Sequence, residues 1–259
     1  MRAFVQWPAF AALVIAYLLG SVPAAYLAGR ARGVDLRAHG SGNLGATNAL
    51  RVLGWKVGLP VFLFDALKGF VPAFFFSRWF GVHPHWAMAF GLAAIVGHVK
   101  PVFLLGRGGG GGKGVASAAG VFLGLAPLAT GVALAVFAAV VALSGYVSLG
   151  SLAAAAALVA ALGLTSGVHG PVFPVAVLVA AFVFWSHRAN IGRLRRGEES
   201  SFRRRSAPAP ALCETCGLGT ATVDLTRVSG NTATHQHLCE RCAARQGVER
   251  DLPAVELRS

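Results

Sequence analysis

The stretch VASAAGVFLGLAPLATGVALAVFAAVVALSGYVSLGSLAAAAALVAALGL, residues 115–164, decides the fold class. It contains no Asp, Glu, Lys or Arg, and none follows until Arg188. A helix crosses the hydrocarbon core of a bilayer in about 20 residues, so a run of this length holds several crossings. Pro127, Ser144–Gly145 and Ser166–Pro171 divide it into 115–127, 129–144, 147–165 and 171–187. The first piece is too short to span unaided and reads as a half-helix reaching into the membrane. Upstream, Phe4–Leu27, Val57–Trp79 and Trp86–Leu105 are also apolar, which brings the expectation to seven helical elements, with five or six as the alternatives. Phe4–Leu27 is longer than the apolar region of a secretory leader and runs without a break into a polar loop, so it reads as a retained span. The predicted fold is an all-α polytopic membrane protein.

Composition agrees. Hydrophobic residues make up 55% of the 259-residue chain and charged residues 13%, about half the share in a soluble domain, and mean hydropathy is +0.63. Residues 1–187 carry eleven Lys/Arg and only two acids, Asp35 and Asp65, whereas 188–259 carry twelve Arg and eight acids. So few carboxylates in the apolar part exclude paired-acid chemistry such as glycoside hydrolysis. Its basic excess suits an anionic substrate, phosphate above all. A basic excess can also serve nucleic acid, but these bases sit between apolar segments rather than on a soluble face, so no nucleic-acid partner is expected.

Lys and Arg also set orientation. Loop 28–56 holds Arg30, Arg32, Arg37, Arg51 and Lys56; loop 98–114 holds Lys100, Arg107 and Lys113; four Arg fall between 188 and 196. Cytoplasmic loops carry this excess. The expectation is an N-terminus outside, seven crossings, a cytoplasmic C-terminus and residence in the cell (inner) membrane.

Three motifs carry chemistry. Residues 40–51 read GSGNLGATNALR. Gly40, Gly42 and Gly45 match GxGxxG, but no βαβ unit surrounds them, so a dinucleotide fold is excluded. Glycines still let backbone N–H groups converge on one anion, with Ser41, Asn43, Thr47 and Asn48 as neutral donors and Arg51 as the charge. The second loop runs from His98 through Gly108–Gly112 to Lys113 and Gly114. It lacks the P-loop spacing, yet Gly111, Gly112, Lys113 and Gly114 before an apolar helix form an anion cradle. The third motif begins at His187, with Asn190 and Glu199 beyond it; Arg193, Arg195 and Arg196 read as a basic membrane-surface anchor. Asp65 and Lys68, spaced i,i+3 inside an apolar run, share a helix face. Ionisable groups at that depth point to function, with a purely structural ion pair as the alternative; both join the phosphate-binding candidates, as does His98, whose alternative is a structural place beside a helix end.

The segments GSxPxxYLxGR (20–30), GSGNxGATNxxR (40–51), FDxxKG (64–69), GHxxP (97–101), GGKGVAS (111–117) and HRxNIxRL (187–194) resemble the bacterial glycerol-3-phosphate acyltransferases that use acyl phosphate as donor. The resemblance covers residues 10–199. It implies a seven-helix enzyme that acylates the 1-hydroxyl of glycerol-3-phosphate to give lysophosphatidate and phosphate, the first step of phospholipid synthesis, with no catalytic cofactor. It further implies that Ser41, Arg51, Lys113 and His187 are catalytic, that Arg51 and Lys113 clamp phosphate, that His187 and Asn190 position glycerol-3-phosphate, and that Glu199 orients the basic groups. The family usually has two glycines before the lysine, and this chain has five. The alternative class is a transporter or channel for a phosphorylated molecule or lipid, which would also place glycine-rich anion sites at membrane depth; an internal repeat would mark it, and none is evident.

A charged, Pro/Ala-rich linker, residues 200–211, separates the membrane domain 1–199 from a tail, 212–259. Cys213, Cys216, Cys239 and Cys242 form two CxxC pairs 22 residues apart, close to structural zinc spacing. Residues 221–228 and 232–238, around a Ser-Gly-Asn turn, alternate like a hairpin. This stretch resembles the small zinc-ribbon module of the activator of bacterial protein-arginine kinase, which implies a cytoplasmic zinc-ribbon-like β module with Zn on the four thiolates. His235 and His237 are spare ligands that read as surface residues of the second strand. The module would serve a protein partner and be dispensable for catalysis.

Overall fold

A computed structural model of the chain describes residues 7–106, 110–202, 213–216, 221–229 and 232–246. The chain divides into two compact units, residues 1–201 and 202–259.

The first unit is helical. Helices α1 (Trp7–Ser21) and α2 (Ala24–Arg30) are followed by α3 (Ala46–Leu53), α4 (Trp55–Trp79), α5 (Trp86–Val99), a short 3₁₀ turn (Val102–Leu104), α6 (Val115–Leu125), α7 (Pro127–Ser144), α8 (Val147–Thr165), α9 (Val172–Ser186) and α10 (Arg188–Arg195). Among the described residues five segments are long and apolar enough to cross a bilayer: Trp7–Arg30, Trp55–Trp79, Trp86–Leu104, Pro127–Ser144 and Val147–Thr165. Helices α9 and α10, bent by 55° at His187, give a sixth. Helix α6, with 11 residues, is the short element expected from 115–127, and it completes the seven apolar segments.

Three expectations are refined. The first apolar run is broken at Val22–Pro23, where Pro23 has no N–H to continue the ladder. The polar loop 28–56 contains α3, so Thr47, Asn48 and Arg51 stand on a helix rather than in a turn. The basic stretch after His187 is the helix α10.

Lipid gives helices no hydrophobic reason to associate, so they close on small residues. Gly69 on α4 and Gly120 on α6 lie where a Cβ would collide with the Ser117 and Ala66 carbonyl oxygens respectively. This close crossing fixes α6 against α4, and α6 begins one residue after Gly114. Large apolar side chains such as Leu128, Leu143 and Leu164 remain exposed, as a lipid-facing surface requires.

In the second unit β1 (Val223–Ser229) pairs antiparallel with β2 (Thr232–Leu238), in register from Val223↔Leu238 to Ser229↔Thr232. A short helix α11 (Glu240–Arg245) follows the second CxxC. Cys213, Leu238, Cys242 and Ala243 form its small buried core.

Candidate active site

Arg51, Lys113, His187, Asn190, Arg193 and Glu199 are drawn together from three separate parts of the chain. Helix α3 carries Arg51, the glycine turn before α6 carries Lys113, and the segment from the His187 bend through α10 to Glu199 carries the rest. The Lys113 ammonium donates to Asn190 Oδ1 in a short contact. Asn190 Nδ2 donates to Glu199 Oε1 at 2.6 Å, and Arg193 Nε donates to Glu199 Oε2 at 2.7 Å. The Arg51 guanidinium donates to the Ser200 carbonyl at 2.9 Å. His187 is buried, and its Nδ1 lies 2.8 Å from the Val183 carbonyl, which can only accept. That nitrogen therefore carries the proton, and Nε2 is the ring's other polar atom.

Three cations thus surround one carboxylate. Burial pushes the Lys113 ammonium down to about 8, with Arg193 and Arg51 adding to the push and Glu199 opposing it. Burial alone would raise the Glu199 carboxyl, but hydrogen bonds from neighbours including Asn190 and Arg193 outweigh it and hold it below its usual value. The excess positive charge at a half-open surface is what a phosphate site requires.

The two glycine loops meet beside this cluster. A Cβ at Gly45 would come within 3.8 Å of Gly112 Cα, and one at Gly112 within 3.3 Å of the Leu44 carbonyl. Gly40 (φ +62°) and Gly114 (φ +82°) adopt the left-handed conformation that L side chains avoid. Ser41 and Gly42 are exposed, and Asn43 and Thr47 are half-buried beside the junction. Gly111 lies against the His98 carbonyl and Gly112 against the His98 ring, with no room for a side chain at either. Gly110 has space around it, while Arg107, Gly108 and Gly109 lie outside the described residues.

Four candidates have their side chains buried among other groups of the protein. Asn48 is buried and directed into its own loop: Oδ1 accepts from the Ser41 N–H at 2.9 Å, and Nδ2 donates to the Leu36 and His39 carbonyls at 3.0 and 3.1 Å. With both ends of its amide engaged, it braces the loop. Asp65 and Lys68 form a buried ion pair at 2.7 Å within α4, and Lys68 also donates to the Val22 carbonyl at 2.9 Å. His98 stands beside them, its Nδ1 3.4 Å from Asp65 Oδ1. These three lie beneath the turn and outside the cation cluster, because groups at membrane depth must find partners among themselves.

Arg193 is the residue that sequence reading missed by grouping it with the surface arginines. It follows Asn190 by three positions on α10, so the two share a face; Arg195 and Arg196 do not share it and are exposed.

An apolar cavity of about 90 Å³ lies between α4 and α6–α9, lined by residues including Phe62, Val115, Phe122, Leu158, Val179 and Val183. Its lining includes Val115, two residues from Lys113 in sequence, and Val183, whose carbonyl faces His187.

In the tail, the four cysteine sulfurs all lie within 4.8 Å of one another. His237 is engaged elsewhere, its Nδ1 2.5 Å from Asp224 Oδ1 across the hairpin. The side chain of His235 lies outside the described residues.

The family model described as glycerol-3-phosphate acyltransferase matches residues 10–197. The glycerol-3-phosphate acyltransferase of Geobacter sulfurreducens is 48% identical over 192 residues, covering 73% of this chain and 95% of the relative. That of Geobacter metallireducens is 51% identical over 188 residues, with 73% and 94% covered. Among solved structures, the integral membrane glycerol 3-phosphate acyltransferase PlsY in its glycerol 3-phosphate form superimposes with a TM-score of 0.69 at 39% identity, covering 75% of this chain and 95% of that one. Its lysophosphatidic acid form gives 0.67 at 37% identity. The clustered motifs, the apolar helices around them and these matches agree: the chain is a multi-pass membrane protein that belongs to the glycerol-3-phosphate acyltransferase family.

Proposed function

We propose that the chain transfers a fatty acyl group from acyl phosphate to the 1-hydroxyl of glycerol-3-phosphate. The observation that carries this reading is the convergence of Arg51, Lys113 and Arg193 around Glu199. Both substrates bear phosphate and one also bears a long chain, so a cation cluster on a bundle of apolar helices suits the pair. The donor is a mixed anhydride, already activated. The hydroxyl oxygen bonds to the acyl carbon, the bond from that carbon to the phosphate oxygen breaks, and the hydroxyl proton leaves with the departing phosphate. What remains for the protein is positioning and charge stabilisation. Arg51 and Lys113 clamp phosphate; Ser41, Asn43, Thr47 and the Gly40–Gly45 and Gly111–Gly114 backbones surround it. His187 and Asn190 position glycerol-3-phosphate, and Glu199 holds Asn190 and Arg193 in place. Purified protein given acyl phosphate and glycerol-3-phosphate should release lysophosphatidate and phosphate in equal amounts. Transfer from acyl-CoA at the same rate, or no product, contradicts the reading.

The site faces the cytoplasm of the cell membrane, as the Lys/Arg distribution requires. Single cysteines at Ala38 and Gly110, both exposed, in a background without the native four, should resist an impermeant thiol reagent added to intact cells. Labelling from outside contradicts this orientation.

The tail binds zinc. Zn–S bonds of about 2.3 Å put tetrahedral thiolates roughly 3.8 Å apart, and Cys216 Sγ lies 3.8 Å from Cys239 Sγ. Bound zinc would cross-link the two CxxC turns and supply stability that a four-residue core lacks. Purified full-length chain should contain one zinc per molecule, and residues 1–205 should retain acyl transfer. The tail, which lies beyond the family match at residue 197, is left for a protein partner.

A further inference from the structure

The buried set Asp65, Lys68 and His98 has no part in the mechanism above, yet it lies directly under the turn that carries Lys113. Asp65 Oδ1 lies 2.7 Å from Lys68 Nζ and 3.4 Å from His98 Nδ1, and all three side chains are at most 5% exposed. His98 Nδ1 faces the carboxylate without a hydrogen bond to it, and the edge of the ring bearing Nε2 is turned to the Gly112 backbone. The His98 carbonyl abuts Gly111, and the Gly111 N–H donates to the Val99 carbonyl at 3.0 Å. Two consecutive residues of the turn therefore rest on His98, and the next residue is Lys113. The Ser117 hydroxyl, two residues into α6, donates to the Asp65 backbone carbonyl at 2.9 Å, so the turn is tied to α4 on its other side as well. A buried ion pair holds helices together no better than well-packed apolar residues would, so stability alone does not account for a carboxylate here.

We propose that Asp65 is a positioning residue for acyl transfer, acting through His98 on the Gly111–Gly114 turn to hold the Lys113 ammonium at the phosphate. Lys68 balances the Asp65 charge and anchors the set to the carbonyl at the Val22–Pro23 break. The inference rests on the reaction proposed above and adds a cause for the position of its lysine.

The test compares Asp65→Asn, His98→Gln, the double variant, and Asp65→Asn/Lys68→Met, which removes both charges so that no buried ammonium is left unpaired. Displacing a catalytic group by about 1 Å can slow chemistry about 100-fold. Asp65→Asn and Asp65→Asn/Lys68→Met should therefore lose turnover by about that factor per folded molecule, with KM for glycerol-3-phosphate within about threefold. The double variant with His98→Gln should be no slower than the slower single, because both act through one strut. Amide hydrogen exchange at residues 110–114 should accelerate in each variant, while the buried centre of α8 stays protected. Exchange reads the strut whether or not the reaction assignment holds; product formation by the unmodified protein reads the assignment. Unchanged exchange in the turn overturns the inference, as does wild-type turnover in Asp65→Asn/Lys68→Met or multiplicative losses in the double variant.

Discussion

Two ion pairs of the membrane unit show how the same chemistry serves different ends. Asp65–Lys68 and Arg193–Glu199 are both 2.7 Å apart. In the first, both side chains are 2% exposed and partnered within the protein. In the second, Glu199 is 4% exposed but Arg193 is 35% exposed, and further cations stand nearby. The closed pair has no access for a ligand and sets geometry. The open one leaves an excess of positive charge beside solvent, where a second anion can add.

The comparison breaks most visibly on stability. Asp65→Asn strands a buried ammonium and should destabilise the protein by about 3–5 kcal/mol, whereas Asp65→Asn/Lys68→Met should recover most of that loss in detergent unfolding. Glu199→Gln should cost less than about 1 kcal/mol in the same experiment, since its partner is partly hydrated. Its effect belongs to binding: with Asn190 and Arg193 no longer held, KM for glycerol-3-phosphate should rise about tenfold. Equal destabilisation by the two neutralisations would erase the distinction.

A smaller effect is expected from pH. Lys113, lowered to about 8, is a cation at neutral pH and loses its proton as pH rises through that value. Turnover should then fall between pH 7.5 and 9 by severalfold and stay flat in Lys113→Arg, because arginine does not titrate there. A flat profile in the unmodified protein would remove Lys113 from the phosphate contacts. The smallest effect belongs to the glycine run. Deleting Gly108–Gly110 should leave turnover within about twofold, since loop entropy changes slowly with length and Gly110 has open surroundings. A large loss would show that the longer loop shapes the turn.

What could be read from sequence follows where local chemistry is decisive. Uncharged runs, the Pro and Gly breaks and the CxxC pairs each act through neighbours in the chain, so the apolar segments and the cysteine cluster were legible. Helix α3 was hidden because polar residues and glycines precede it, and its burial of Asn48 and Ala49 depends on tertiary packing. The role of Asn48 was hidden for a related reason: an amide beside glycines can bind an anion or brace its own loop, and only the positions of the Leu36 and His39 carbonyls decide. Arg193 differs from Arg195 and Arg196 only by facing Asn190 and Glu199, a distinction made by the bend at His187.

The account turns on Arg51 and Lys113, the cations carried by the two glycine-bearing segments. Turnover of acyl phosphate and glycerol-3-phosphate should be measured for Arg51→Ala and Lys113→Ala in protein shown to insert and unfold like the wild type. Each loss of a charge-assisted phosphate contact should cost at least about 2 kcal/mol, or roughly thirtyfold in rate. Wild-type turnover in either variant would contradict the placement of phosphate between them.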